Sequence, residues 1–281
     1  MEKFKQLIAL DVAHRIDNFS QQIKTAALPK PIEINNSDEI FRLESSDRKN
    51  ADALLISIYT EVSEEHLRAL PLLRYIGILG SSTAKIPLNY CQSKNIKVKA
   101  VNDYCDYETA EWVIGQIISH FRNCHPAKSV FDKKLGVIGV GNIGGQVLKV
   151  ATALGMKVYF NARHSHDELI KMGARSAGKE EIFSQCDVIS FHTPAHYAWL
   201  SDKELRHTKA HALFINSCFG KISLDDCLEK FLHAREDVVM RMDSIAFMSY
   251  PIKNQVIIDE RPAYDTIDSR NRLINKFFAN I

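Results

Sequence analysis

Residues Gly139-Val140-Gly141-Asn142-Ile143-Gly144 have the types and spacing to hold a pyrophosphate. The run before them, Leu135–Gly139, is apolar and reads as a strand. The run after, Gly144–Leu154, reads as an apolar-faced helix. In that setting each glycine has its own job. Gly139 permits a tight turn, Gly141 lets the backbone approach a phosphate, and Gly144 lets the helix pack close on the strand. Asn142 and Ile143 open the helix, where free N–H groups and the helix dipole favour negative charge. The plainer alternative is a glycine turn without a ligand. The strand–turn–helix setting argues against it.

The next strand, Lys157–Asn161, ends on Asn161 and not on the acid that would take a ribose 2′-hydroxyl. Arg163 follows closely. A carboxylate would repel a 2′-phosphate, whereas a neutral Asn with an Arg nearby could accept one. The expected cofactor is therefore NADP(H) slightly ahead of NAD(H). Arg163 also reads as an ordinary solvated loop cation.

The elements that must position this turn form two strand–helix series. In the first, Gln6–Val12, Ala53–Ile58, Tyr75–Leu79 and Val98–Val101 read as buried strands. Ser37–Leu43 and Glu64–Leu70 read as helices, with Ser63 an N-cap for the latter. Thr109–Cys124 is apolar at helical spacing and is broken by His125-Pro126. In the second series the strands are Leu135–Gly139, Lys157–Asn161, Val188–His192, Ala212–Asn216, Val238–Asp243 and Val256–Ile258. Helices are expected at Gly144–Leu154, Glu180–Cys186, Leu224–Ala234 and Ser269–Ala279. This order predicts an α/β fold of doubly wound parallel sheets.

The 281 residues suit two domains. With 36 basic and 34 acidic residues there is no excess charge to attract nucleic acid. No apolar run suggests a membrane span, and Asp11 comes too early for a secretory core. The six cysteines form no CxxC pair, so free thiols in a reducing cytoplasm and no metal site are expected.

Several segments together resemble the D-isomer-specific 2-hydroxyacid dehydrogenase family. They are Leu73-Arg74-Tyr75-Ile76 with Gly80, Asn95–Val98, Tyr104–Trp112 (YCDYETAEW), the GVGNIG turn, Cys186–Pro194 (CDVISFHTP) and Phe214–Gly220 (FINSCFG). The resemblance implies two Rossmann/flavodoxin-like domains with a cleft between them, and a homodimer. The substrate domain would be 1–102 plus 265–281, and the dinucleotide domain 103–264. It also implies that Asp243 bonds the nicotinamide carboxamide and that Pro194 lies against the adenine or its ribose. Asp243 can also be read as a strand-end acid with a structural partner. His192 is read as structural and Arg122 as a helix-end cation.

The chain departs from the family where the chemistry would be done. Members use an Arg to bind the carboxylate, a His to protonate the carbonyl and a Glu to tune the His. Phe219 stands at the Arg position and Arg261 at the His position, and Asp243–Met248 offers no acid for the Glu. A charged hydrogen bond contributes about 1.5–3 kcal/mol, so Arg→Phe should weaken carboxylate binding tens-fold or more. Loss of a general acid costs about 10²–10⁴ in rate. The substrate loop reads Gly80-Ser81-Ser82-Thr83-Ala84-Lys85, whose amides could still grip a carboxylate. Arg261 could polarise a carbonyl but cannot protonate it. Tyr104 or Lys85 could donate a proton if its pKa were lowered. Each of these is more often a plain surface or interface residue.

Two functions are compatible with these residues. One is an NAD(P)-dependent oxidoreductase with an altered site, acting on a small 2-oxo or 2-hydroxy acid or a related carbonyl compound. The other is a pseudo-dehydrogenase that binds NAD(P)H as a structural or sensing ligand and acts through protein partners.

Overall fold

The structure, a computed structural model, describes residues 4–194, 199–218, 221–243 and 256–281. The chain divides into two compact units, 1–104 with 267–281, and 105–266.

The first unit runs β1 (Leu7–Leu10), α1 (Phe19–Thr25), β2 (Ile32–Ile34), α2 (Glu39–Arg42), α3 (Ser45–Asn50) and β3 (Ala53–Ser57). It continues through α4 (Glu64–Arg68), β4 (Tyr75–Leu79), α5 (Leu88–Ser93) and β5 (Lys97–Ala100). Its sheet is parallel throughout, in the order β2-β1-β3-β4-β5. The runs LIAL, ALLIS and YIGIL are buried along their whole length. This is what a parallel sheet covered on both faces requires, and it is why they do not alternate with polar residues. Ser63 caps α4 through a reciprocal box with His66.

The C-terminal helix belongs to this unit. It is Ile267–Asn280, the twelfth α-helix among the described residues and labelled α12. Tyr75 Oη donates to the Asn280 carbonyl at 2.9 Å, Lys276 Nζ to the carbonyls of Asn102 and Asp103, and Arg272 to that of Tyr104.

The second unit begins with α6 (Asp106–Arg122), followed by β6 (Lys134–Ile138), α7 (Asn142–Ala153), β7 (Lys157–Asn161), α8 (Asp167–Lys171) and β8 (Arg175–Ser176). Next come α9 (Lys179–Gln185), β9 (Val188–Phe191), α10 (Asp202–Leu205), β10 (Leu213–Asn216), α11 (Cys227–Ala234), β11 (Val239–Asp243) and β12 (Val256–Asp259). Its sheet is also parallel, in the order β12-β11-β10-β9-β6-β7-β8. One apolar layer joins α6, α7 and one sheet face through Val113, Ile117, Val147, Leu148, Val137 and Ile215. The opposite face packs Phe183, Phe191, Phe214, Leu228 and Met240.

Some expectations need correction. The long helix starts at Asp106 and ends at Arg122, short of the Pro that was to break it, with Asn123 as its C-cap. The helix expected from Leu224 begins at Cys227. Strands β2 and β8 and helices α1, α3, α5, α8 and α10 were not anticipated. All are seven residues or shorter, too few to display a period.

Candidate cofactor site

The glycine turn leaves β6 at its C-terminal end, next to the point where the strand order reverses between β6 and β9. In parallel α/β sheets that is where ligands bind. The turn is pinned on both sides: Gly139 N–H donates to the Asn161 carbonyl, and His192 N–H to the Ile138 carbonyl.

The three glycines have different reasons for lacking a side chain. Gly139 has φ +92°, and a Cβ there would lie 2.4 Å from the His192 carbonyl oxygen. A Cβ on Gly144 would lie 2.2 Å from the Gly139 carbonyl oxygen, which is the close helix–strand contact. A Cβ on Gly141 would meet no atom within 4 Å. Among the described residues nothing fills the space beside Gly141. Gly141 is also the N-cap of α7 and, as a glycine, caps it with no side chain. The first-turn N–H groups of Ile143 and Gly144 donate to no acceptor among the described residues. Asn142 is exposed at the helix start, and Ile143 packs against the core below. Open space over uncapped amides at the tip of a twelve-residue helix fits a pyrophosphate.

The other candidate residues stand at the C-terminal ends of neighbouring strands. Asn161 ends β7, and its Nδ2 donates to the Ala177 carbonyl at 2.9 Å. Its donor is therefore committed to the fold. Arg163, beyond it, is exposed. Pro194 is exposed just past β9. His192, in the same segment, pairs its Nε2 with Ser190 Oγ at 2.8 Å, and burial pushes its pKa down to about 4. Asp243 ends β11, is 3% exposed, and accepts from Ala263 N–H at 3.1 Å. That contact ties β11 to the segment after β12. Phe219 lies outside the described residues. Just before it, Cys218 donates to the Phe191 carbonyl, and burial pushes its thiol up to about 12. Asn216 Oδ1 accepts from Cys218 N–H, while its fully buried Nδ2 has no partner among the described residues. Arg261 is exposed, and its backbone N–H donates to Asp259 Oδ1.

In the first unit, Gly80 follows β4 with φ +134°, where a Cβ would strike Ile58. The N–H groups of Ser81 and Ser82 donate to no acceptor among the described residues. Lys85 is tethered by Nζ to the Tyr59 carbonyl at 2.6 Å. Tyr104 is 4% exposed.

Sequence reasoning missed two polar clusters. At the ends of β1 and β3, Asp11 accepts from Ser57, Thr60 and both ways from Arg15. Under β12, Trp112 and Gln116 donate to Asp259, and Arg241 to Gln116. The only signal for the second was an arginine inside the apolar run VVMRM. The first joins residues 46 to 49 apart, and no local spacing announces it.

A sequence model described as D-isomer specific 2-hydroxyacid dehydrogenase, NAD binding domain, matches residues 99–260, more than half of the chain. The chain belongs to the D-isomer-specific 2-hydroxyacid dehydrogenase family.

Among curated relatives, erythronate-4-phosphate dehydrogenase of Pseudomonas savastanoi is 29% identical over 203 residues, covering 69% of this chain and 51% of the relative. D-3-phosphoglycerate dehydrogenase of Haemophilus influenzae is 28% identical over 194 residues, covering 62% and 47%. This family member thus spans about half the length of the curated relatives it matches. Among solved structures, D-lactate dehydrogenase of Aquifex aeolicus, complexed with NAD and lactic acid, superimposes with a TM-score of 0.84 at 20% identity, over 98% of this chain and 94% of that one. An acyclic imino acid reductase in complex with NADPH and D-Arg gives 0.79 at 21%, over 98% and 95%. At such identities these likenesses concern the fold.

Proposed function

We propose that this family member is a nicotinamide-dependent oxidoreductase with an altered reaction centre, acting on a small 2-oxo or 2-hydroxy acid or a related carbonyl compound. The observation that carries the reading is Gly141: the space beside it and the uncapped amides of α7 fit a pyrophosphate and serve no need of the fold. Gly139, Gly141, Asn142, Ile143 and Gly144 would hold the diphosphate, Pro194 the adenosine end and Asp243 the carboxamide. NADP(H) is favoured slightly, because Asn161 brings no carboxylate to the ribose and Arg163 brings a cation. Since Asn161 Nδ2 is taken by Ala177, Asn161 helps only by being neutral, and Arg163 carries the preference.

The bound cofactor supplies the hydride. The protein has to bind the carboxylate, polarise the carbonyl and deliver a proton. The amides of Ser81 and Ser82, after Gly80, donate to no acceptor among the described residues and suit a carboxylate. Arg261 polarises the carbonyl oxygen but keeps its own proton. The proton comes from Lys85 or Tyr104, with Lys85 the more accessible. Phe219 in place of an arginine would favour an apolar or aromatic group on the substrate. A screen of 2-oxo acids with NADPH and NADH tests this reading. Turnover near 1 s⁻¹ or faster supports it. Tight cofactor binding with no turnover of any acid would instead favour a pseudo-dehydrogenase that uses the cofactor as a structural or sensing ligand. The Arg261 and Phe219 positions favour that second reading.

A homodimer is part of the proposal. The exposed apolar residues Tyr107, Ile118 and Val150 on α6 and α7 line the face it would cover.

A further inference from the structure

Strand β11, Val239-Met240-Arg241-Met242-Asp243, is an apolar strand interrupted by an arginine. Met240 and Met242 fill one face of the sheet. Arg241 projects from the other toward α6, where its Nη1 donates to Gln116 Oε1 at 2.8 Å. That is its only side-chain hydrogen bond among the described residues. Its Nε is buried without an acceptor. A guanidinium carries five N–H donors and stays charged. Half-buried and largely unpaired, it is costly to the fold unless an anion completes it.

Among the described residues no carboxylate forms an ion pair with it. Asp259 lies within electrostatic reach, but it forms no ion pair with Arg241 among the described residues. Its oxygens instead accept from Trp112 Nε1 at 3.0 Å, Gln116 Nε2 at 3.3 Å and Arg261 N–H at 3.2 Å. Arg241 lines a cavity of about 430 Å³ in the second unit, together with Gln116, Ser119, Asp259, Glu260 and Arg261. The pocket is open to solvent, and Asp259 and Glu260 also bring two carboxylates to its wall. Ser119 Oγ accepts from Asn123 Nδ2 and so has its own proton to give. The Arg261 side chain makes no hydrogen bond among the described residues. Next along α6, burial lowers the pKa of His120, and Arg241 and Lys128 lower it further, as a positive local field would.

We infer that this cavity binds a small oxyanion, a phosphate or carboxylate group, held by Arg241 with Ser119 and Arg261. Its walls include none of the residues assigned above to the dinucleotide. They do include Arg261, assigned above to the substrate carbonyl, so the inference rests in part on that reading, and variants of Arg241 and Ser119, which touch no residue of the reaction centre, keep the two distinguishable.

Thermal unfolding of the full chain tests this at fixed ionic strength, with chloride replaced by inorganic phosphate in one series and by malonate in another. A saturable rise in Tm of about 2 °C or more with either anion is expected, and the larger response identifies the source. The rise should vanish in Arg241→Met. It should also vanish in Ser119→Asp, which puts an acid in the wall from a half-buried helix position and spares the core. Absence of any rise in the wild type overturns the proposal. So does a rise that persists undiminished in Ser119→Asp, because the anion would then sit elsewhere, as at the start of α7.

Discussion

Two of the three glycines in the turn are required by the protein itself. Gly144→Ala drives a methyl into the Gly139 carbonyl oxygen, 2.2 Å away, and should destabilise the fold by about 1–3 kcal/mol in chemical denaturation. A Cβ on Gly141 would meet nothing within 4 Å, so Gly141→Val should cost the fold no more than about 1 kcal/mol, through a poorer helix N-cap, while cofactor affinity falls at least about tenfold. Asn161→Asp tests the other end of the cofactor. It should move the ratio of NADH to NADPH affinity toward NADH by about tenfold or more. The same change replaces a donor to the Ala177 carbonyl with a carboxylate, at a cost of about 1–3 kcal/mol in stability. Both effects can be read on one purified variant, by titration and by unfolding.

Among the elements, α6 and α7 serve two purposes. Their inner faces build the core beneath the glycine turn, and their outer faces leave Tyr107, Ile118 and Val150 in solvent. Val150→Asp should therefore leave the fold intact and turn the proposed dimer into a monomer in analytical ultracentrifugation. Elements with a strong period or a fully apolar run were legible in the sequence. Strands Tyr75–Leu79 and Lys157–Asn161 have the bounds expected of them, and α4 starts at the cap that Ser63 announced. Strand β2 was hidden because it is three residues beside Pro29 and Pro31, at a sheet edge where only Ile34 is buried. The glycine turn was legible because its chemistry lies in consecutive residues. Arg241, Gln116 and Asp259 were not, because a network spanning 125 and 143 residues exists only after β11 and β12 have paired under α6.

For the whole molecule, titration sets the acid limit. His192 is neutral when folded, with burial holding its pKa at about 4, whereas an unfolded histidine titrates near 6.5. A depressed histidine contributes stability that is complete above about pH 6.5 and is lost as pH falls toward 4, by at most about 3 kcal/mol. His120 is shifted the same way. Burial acts to raise Asp11 and Asp187. Hydrogen bonds from Ser57, Thr60 and Arg15 to the first, and from Lys209 and the Lys134 amide to the second, outweigh it and hold both carboxyls low. Their contribution persists above about pH 4 and is lost only as pH falls through their folded values. Stability should thus decline in two stages, and His192→Gln should flatten the one between pH 6.5 and 4.

The central claim is that the second unit still works as a nicotinamide cofactor site. It is tested most directly by fluorescence titration of the wild type with NADPH and with NADH, beside the same titrations of Gly141→Val. Saturable binding below millimolar concentration, somewhat tighter for NADPH and largely abolished in the variant, is the predicted result. If neither nucleotide binds the wild type in that range, or if Gly141→Val binds as well as the wild type, the claim is contradicted.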